Sequence, residues 1–393
     1  MKRAIKLMMG RVAIPKAARD SARRDAAGLP VEDPGTERVL PAVMGWLCRA
    51  QDVSASHDGG VARDFSLLKG WATSYPETTG YIIPTFLDYA RRTGQRSFHE
   101  RALRMTDWLV RIQLPCGGFQ GGKIDSKPVV PVTFNTGQIL LGLAAAQAET
   151  GRYLAPMRRA ADWLVATQDA DGAWRKHESP FAAKGDKQYE THVAWGLFEA
   201  ERVDPGRGYR EAGLRNVRWA IDDLPANGWF SRCDLSGAPA PITHTLGYAL
   251  RGVIEAHRLA PDPQLIDSAQ RTADGLCSAL ADDGYLPGML DRNWQAVVDW
   301  ACLTGTAQVA ACWMLLARLA GRADYLEPAR KANRYLRRTV ALSGAADQVG
   351  AIRGSFPING EYGAYEYPNW AAKFVADSLI LEADIASPGV PLT

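Results

Sequence analysis

Residues 161–174 read ADWLVATQDADGAW. The first eight residues have the apolar spacing of an amphipathic helix that ends in a glutamine, Asp171-Gly172 breaks the helix, and Trp174 follows. Residues 106–119, TDWLVRIQLPCGGF, repeat the same order of helix, glutamine, glycine break and aromatic residue. The recurrence indicates that the chain is built from repeated structural units.

The glycine break recurs along the whole chain. Its first glycine falls at residues 59, 117, 172, 228, 284 and 354, so that successive intervals are 58, 55, 56, 56 and 70 residues. A period of this size is typical of an array of supersecondary units. Each break glycine is expected to hold the positive φ that a tight reversal requires, and the aromatic residue after it is expected to fill the gap between neighbouring units.

Two kinds of helix alternate around the breaks. An amphipathic helix precedes each break, and a more uniformly apolar helix rich in small residues follows it. The apolar helices are predicted to begin near residues 78, 136, 191, 244, 304 and 370. Five of them begin close to a threonine, which is expected to cap the helix, and the sixth follows Pro368-Asn369. The five threonines are Thr78, Thr136, Thr191, Thr243 and Thr304.

Six such helix pairs predict an all-α fold, an (α/α)6 toroid with the apolar helices in an inner ring and the amphipathic helices outside. The toroid is expected to span residues 38–385, after a loose basic extension at 1–37 and before a short tail at 386–393. An open helical solenoid is the alternative, but it needs polar caps at its ends, which neither terminal unit provides.

Composition excludes several classes of partner and cofactor. A net charge of +3 over 393 residues gives no reason to expect nucleic acid. The six cysteines form no CxxC pair, which argues against a zinc site and favours free thiols in a reducing compartment. We expect no metal and no cofactor, a cytoplasmic protein without a signal peptide or membrane span, and at most weak membrane contact through the basic N-terminus. Oligomeric state stays open.

The ADWLVATQDADGAW phrase resembles the QW repeat of triterpene cyclases and their toroid relatives. The plan of six helical hairpins over roughly residues 38–385 is similar to six-hairpin carbohydrate-active enzymes, namely hydrolases, lyases and sugar epimerases. The resemblance implies the fold and a saccharide substrate, whereas the chemistry has to be sought in the side chains.

Polar groups at the starts of the inner helices are expected to meet at one mouth of the toroid, because burial elsewhere would leave them unsatisfied. His192 and His244 occupy corresponding positions in consecutive units and are predicted to act as base and acid, with Glu190 orienting one imidazole and Tyr367 assisting proton transfer. The other predicted binding residues are Tyr75, Glu77, Asn135, Gln138, Tyr189, Trp195, Tyr248, Asp299, Trp300, Arg353, Glu361, Tyr365, Glu366, Asn369, Trp370 and Lys373.

These residue types favour lyase or epimerase chemistry on an acidic sugar unit of a bacterial polysaccharide or its precursor. The sugar would stack on Trp195, Trp300 or Trp370, and Arg353 or Lys373 would neutralise its carboxylate. A glycoside hydrolase is an alternative, with two of the carboxylates opposed across the bond. Its candidate carboxylates are Glu77, Glu190, Asp299, Glu361 and Glu366.

Two further alternatives come from other classes. An isoprenoid cyclase or prenyltransferase shares the toroid, but the chain has no DxDD motif, and Asp299 and Cys302 lack the spacing and the later histidine of the prenyltransferase zinc site. A non-catalytic toroid that binds a glycan or peptide is the last alternative, and the many ionisable groups at the inner-helix starts argue for catalysis instead.

Overall fold

A computed structural model describes residues 14–238 and 240–386. In that part of the chain 13 α-helices account for nearly all of the regular structure. The outer helices are α2 (Thr36–Asp52), α4 (Arg96–Ile112), α6 (Leu154–Thr167), α8 (Tyr209–Ile221), α10 (Pro263–Ser278) and α12 (Leu326–Arg338). The inner helices are α3 (Pro76–Thr93), α5 (Thr133–Thr150), α7 (Thr191–Val203), α9 (Thr243–Leu259), α11 (Leu303–Leu319) and α13 (Asn369–Ala386).

The inner helices form a closed ring. Each packs against the next in chain order, α13 returns to α3, and every outer helix lies against an inner one, with α2 against α13. The predicted starts at 78, 136, 191, 244, 304 and 370 agree with the observed starts at 76, 133, 191, 243, 303 and 369. The (α/α)6 toroid is therefore confirmed, and the open solenoid is excluded.

Short strands lie on one face of the ring. β1 (Asp64–Ser66) pairs antiparallel with β2 (Gly70–Trp71) and with β5 (Glu366–Pro368), and β3 (Ala301–Cys302) pairs with β4 (Ser355–Phe356). The β1–β5 pair joins the first break to the start of the last inner helix. This sheet fixes the loops that surround the mouth of the ring.

The break glycines let the chain pass close to the next outer helix. Gly172 has φ +103°, and a Cβ there would lie 2.6 Å from the backbone oxygen of Arg215 on α8. The positive φ is confirmed at residues 59, 117, 172, 228 and 284. The sixth assignment was wrong, since Gly354 packs beside β4 without a positive φ, and Gly350 (φ +79°) makes the corresponding turn against Ala42 on α2.

The repeated glutamine has a structural role. Gln168 Nε2 donates to the carbonyl of Gly172 at 2.9 Å and to that of Ala212 on α8, also at 2.9 Å. It thus ties the break to the next outer helix. Trp174 is 3% exposed and its Nε1 donates to Leu164, as expected for an aromatic residue that fills the space behind the break. Gln51 and Gln113 make the same double contact in the two preceding units.

The threonines do not cap the inner helices as predicted. Five inner helices, all but α13, are preceded by a residue that makes no side-chain capping bond. Thr136 lies inside the first turn of α5, where its hydroxyl donates to the carbonyl of Val132 at 2.8 Å and accepts from the backbone N–H of Phe119 at 2.9 Å. The hydroxyl therefore ties the break to the inner helix.

Part of the predicted N-terminal extension is helical. Residues 16–26 form helix α1 (Lys16–Ala26), and the buried Asp25 carboxylate accepts from the backbone N–H of Ile358 at 2.9 Å and faces Arg353 Nε at 3.0 Å. The first thirteen residues, the interval 387–393 and residue 239 lie outside the described residues. None of the described helices combines the length and the apolar character needed to cross a membrane.

Candidate active site

A cavity of about 670 Å³ opens at the rim where the inner helices begin. We call it the N-terminal cavity. Its walls come from the first turns of α3, α5, α9 and α13 and from the break loops around them. Eight of the residues predicted from the sequence line it, namely Tyr75, Glu77, Asn135, Tyr189, His244, Tyr248, Glu366 and Trp370.

Glu77 lies in the first turn of α3 and is 8% exposed. Its Oε2 accepts a hydrogen bond from Asn135 Nδ2 at 2.8 Å, so two neighbouring inner helices hold the carboxyl in place. Burial raises the pKa of Glu77 to about 7, against the opposing effects of the Tyr75 hydroxyl and the Arg63 charge. A carboxyl with this pKa is partly protonated near neutral pH and suits a proton donor.

His244 lies at the start of α9 and faces the same cavity. Its Nδ1 is 2.7 Å from Gln308 Oε1 on α11, and because an amide oxygen only accepts, the ring donates from Nδ1 and keeps a lone pair on Nε2. Burial lowers the pKa of His244 to about 4, so the imidazole is neutral at physiological pH. The ring therefore has the protonation state of a general base.

Arg63 forms an ion-pair cluster that the sequence did not single out. Its guanidinium bonds to Asp64 and to Glu366 Oε2, the latter at 3.0 Å, and lies 5.1 Å from the centroid of the Trp370 ring. Two carboxylates thus balance one arginine in the wall. The cluster supplies rigid hydrogen-bonding groups but no free positive charge.

Aromatic rings form much of the remaining wall. Trp370 Nε1 donates to the hydroxyl of Tyr362 at 2.8 Å, and the Tyr75 and Trp370 ring centroids are 6.1 Å apart. Phe134 meets both Tyr189 and Tyr248 edge to face. Such rings present apolar faces with polar edges, which suits the alternating character of a sugar ring.

His192 does not line this cavity. It is fully buried, its Nδ1 lies 2.6 Å from Gln138 Oε1, and Nε2 has no hydrogen-bond partner among the described residues. Its ring centroid is 4.4 Å from that of Tyr248, a residue that does line the N-terminal cavity. Burial together with the charges of Lys373 and Arg251 holds its pKa well below the ordinary value.

Glu190 and Tyr367, which were predicted to assist the histidines, lie outside the N-terminal cavity. Glu190 is buried and does not line the cavity, and glutamines rather than this carboxyl orient the imidazoles. Burial raises the pKa of Glu190 to about 8. Tyr367, on β5, packs against Phe65 and does not line the cavity either.

The remaining predicted residues fall into three other places. Trp195 and Lys373 line a different cavity at the opposite rim, and Asp299, Trp300 and Glu361 line a separate surface groove. Arg353 is committed to Asp25 and to the carbonyl of Thr339. Gln138 supports His192, Tyr365 accepts from the backbone of Leu67, and Asn369 donates to the carbonyl of Ala62.

Several cavity residues were missed or underrated in the sequence. Arg63, Asp64, Trp71 and Phe181 lie in the loops and short strands that follow the breaks, where no periodicity marks them. Tyr362 stands in the segment 360–370, GEYGAYEYPNW, whose many aromatic residues did signal a site without indicating which of them face the cavity. Tyr81, one turn into α3, also lines the wall.

No family model matches the chain. Its fold is similar to an unsaturated glucuronyl hydrolase specific for heparin, with a TM-score of 0.71 and 17% identity over 90% of this chain and 98% of that one. A sugar epimerase from a ruminal bacterium gives a TM-score of 0.72 at 12% identity over 91% and 98% of the chains. A D-mannose isomerase gives 0.70 at 12% identity over 91% and 99%. These neighbours are carbohydrate-processing toroids, and the likeness confirms the fold.

In sequence, the chain is 30% identical over 166 residues to an ent-copalyl diphosphate synthase of a Streptomyces species. The match covers 41% of this chain and only 29% of the synthase, so this chain spans well under half the length of that relative.

Proposed function

We propose that the protein is a carbohydrate-active enzyme that binds a sugar unit in the N-terminal cavity and acts on it by proton transfer, as a lyase or an epimerase. One observation carries this proposal: Glu77 and His244 line a single aromatic cavity, each held by an amide side chain from a neighbouring inner helix. The fold neighbours are consistent with it, since their names describe enzymes that act on glucuronyl, mannose and other sugar substrates.

Each residue has a role that follows from its protonation state. His244 Nε2 takes a proton from a carbon next to a carbonyl or carboxylate, and the Nδ1–H bond to Gln308 supports the imidazolium that forms. Glu77 gives a proton, either to the leaving oxygen in an elimination or back to carbon in an epimerisation. Asn135 keeps the Glu77 carboxyl aimed at the substrate.

The lining also bears on substrate charge. Arg353 and Lys373, the sequence candidates for neutralising a sugar carboxylate, both lie outside this cavity. Lys69 and Lys123 line the cavity instead, and Arg63 is already balanced by two carboxylates. An acidic sugar would therefore place its carboxylate near these two lysines, while its ring stacks on the aromatic wall.

A thermal-shift screen against acidic and neutral oligosaccharides identifies a ligand, because a compound that binds only the native state raises the melting temperature. On that ligand, Glu77→Gln and His244→Ala should each lose roughly 10²–10⁴-fold in turnover without unfolding. Asp299→Asn, in the separate groove, is the matched control and should keep its activity. Loss in Glu77→Gln with full activity in His244→Ala would point to glycoside hydrolysis by carboxylates instead.

One observation favours a second candidate function. The 30% identity to a copalyl diphosphate synthase, together with a proton-donating carboxyl in an aromatic cavity, fits an isoprenoid substrate protonated by Glu77. The same thermal-shift screen decides between the two candidate functions. If the substrate is an isoprenoid, isoprenoid diphosphates should raise the melting temperature and the oligosaccharides should not.

A further inference from the structure

A second cavity, of about 700 Å³, opens at the opposite rim, where the inner helices end. We call it the C-terminal cavity. All six inner helices contribute to its walls, and Tyr81 lines both this cavity and the N-terminal one. The layer of side chains around Tyr81 therefore divides the axis of the ring into two chambers.

The C-terminal cavity is deep. Lys373, in the second turn of α13, and Asp384, near its end, both line it. Eleven residues of helix separate them, which corresponds to about 16 Å along the axis. The chamber is thus a funnel with a floor at mid-ring and a mouth at the helix ends.

Two cations, Lys373 and the partly buried Arg251, lie at the floor, and each is paired with one carboxylate. Lys373 is 2% exposed and donates to Asp377, one turn along α13. The Arg251 guanidinium stacks 4.1 Å from the Trp195 ring centroid, and its Nε donates to Glu255 Oε1 at 2.7 Å. That leaves the terminal nitrogens of Arg251, which lines the chamber, as donors available to a planar anionic group.

Charge is distributed unevenly around the funnel. The buried carboxylate of Glu255 is shared by Arg251, by Arg258 at 2.8 Å and by Arg202 at 3.9 Å. With Glu199, that wall has three arginines for two glutamates. The wall near α3 has the opposite balance, with two arginines for three carboxylates: Arg91 and Arg92 with Asp88, Glu149 and Asp384.

The ordinary role of arginines at helix ends explains only part of this set. Cations near a helix C-terminus stabilise the helix dipole, which accounts for Arg91, Arg92, Arg202 and Arg258. Arg251 lies eight residues before the end of α9, and Lys373 lies thirteen before the end of α13. The dipole effect fades within the last turn, so it does not account for these two.

Between the floor and the charged mouth the walls are formed by apolar, mostly aliphatic side chains. This middle section includes Leu141, Ala144, Ala145, Leu315 and Ile380. We propose that the C-terminal cavity binds an amphipathic anion, whose carboxylate or phosphate head lies at Arg251 and Lys373 and whose short apolar body lies along this section. The site is separate from the N-terminal cavity and does not depend on the reaction proposed there.

Calorimetric titration of the full chain with hexyl phosphate, hexanoate and hexanol tests the proposal. Either anion should bind at one site per chain, with hexanol much weaker, and the comparison of the two anions tells a phosphate head from a carboxylate head. Arg251→Gln should weaken binding roughly 10- to 100-fold, since a hydrogen bond to a charged group is lost. Arg218→Gln, exposed on α8, is the matched control and should bind as the unmodified protein does.

Arg251→Gln removes one partner of Glu255 and could impair folding, so a second variant is needed. Ala145→Trp fills the middle of the chamber without removing a charge, and it should abolish binding. Equal affinity for hexanol and the anions, full binding by Ala145→Trp, or no binding of either anion would overturn the proposal. Turnover is not used as a readout, so a failure of the proposed sugar chemistry would leave this result unaffected.

Discussion

Gly350 lies directly against the carbonyl of Ala42, so that a Cβ at residue 350 would be 2.0 Å from that oxygen. The two residues are more than 300 positions apart, yet their contact is the same one that Gly172 makes with Arg215 in the next outer helix along the chain. The last break thus packs on the first outer helix, and this contact closes the ring.

Gly350→Ala should therefore destabilise the protein by roughly 2–5 kcal/mol, because it adds a steric clash with backbone to the cost of a positive φ. Gly344→Ala is the control, since Gly344 also has a positive φ (+111°) but nothing within 4 Å of its added Cβ. Urea unfolding of both variants measures the difference. Equal stability of the two would mean that the contact with Ala42 does not hold the ring closed.

Trp174→Ala should cost about 3–5 kcal/mol, as expected when a buried aromatic side chain is deleted and its space is not refilled. Trp174 lies outside the cavity, so ligand binding by the folded fraction should be unchanged. Chemical denaturation gives the stability and titration at low temperature gives the affinity. Lost activity at an unchanged melting temperature would show that the repeat phrase has a functional role.

The pH dependence of kcat/KM should reflect His244 and Glu77. A neutral His244 requires a pH above its pKa of about 4, and a protonated Glu77 requires a pH below its pKa of about 7. Activity should therefore rise through the first value and fall through the second. Glu77→Gln should be slow and should lose the alkaline limb. An alkaline limb that persists in this variant would exclude Glu77 as the acid.

Gln308→Glu should raise the pKa of His244 toward the ordinary value of 6.5, because a carboxylate stabilises the imidazolium more strongly than the amide does. NMR titration of the His244 ring measures this without a substrate, and the acidic limb of kcat/KM should move with it. Gln138→Glu makes the same change beside His192, which does not line the cavity, and should leave the rate profile unchanged. Movement of the profile in both variants would argue for a general electrostatic effect.

Glu190→Gln should stabilise the protein increasingly as the pH rises. Burial raises the pKa of Glu190 to about 8 in the folded state, whereas the unfolded chain ionises near 4.5. Between about pH 4.5 and about pH 8 the free energy of unfolding of the parent therefore falls by about 1.4 kcal/mol per pH unit, because the unfolded chain ionises Glu190 and the folded chain does not. The glutamine variant does not have this loss. Comparing urea midpoints of variant and parent at about pH 4.5 and about pH 8 checks this, and a constant difference would contradict it.

The sequence by itself determined the fold because its signals are local. Helix amphipathicity, the apolar composition of the inner helices and the glycine at each break are properties of short segments, and their period gave six pairs and the starts of all inner helices. The sixth break was misplaced at Gly354, since the turn at Gly350 is recognised only by its contact with Ala42. The threonine caps were wrong, and Thr136 shows one reason, since its hydroxyl bonds to the backbone groups of Phe119 and Val132 instead.

Only the tertiary structure decided which side chains share a cavity. Glu77 meets Asn135, His244 meets Gln308 and Arg63 meets Glu366 across 58, 64 and 303 positions. The rotation of a helix and the depth of a residue along it then decide which cavity each side chain faces. Trp370 faces the N-terminal cavity, whereas Lys373, three residues on, faces the C-terminal one. A rise of 1.5 Å per residue and a turn of 3.6 residues make this assignment depend on how each helix is rotated in the ring, and packing between distant segments sets that rotation.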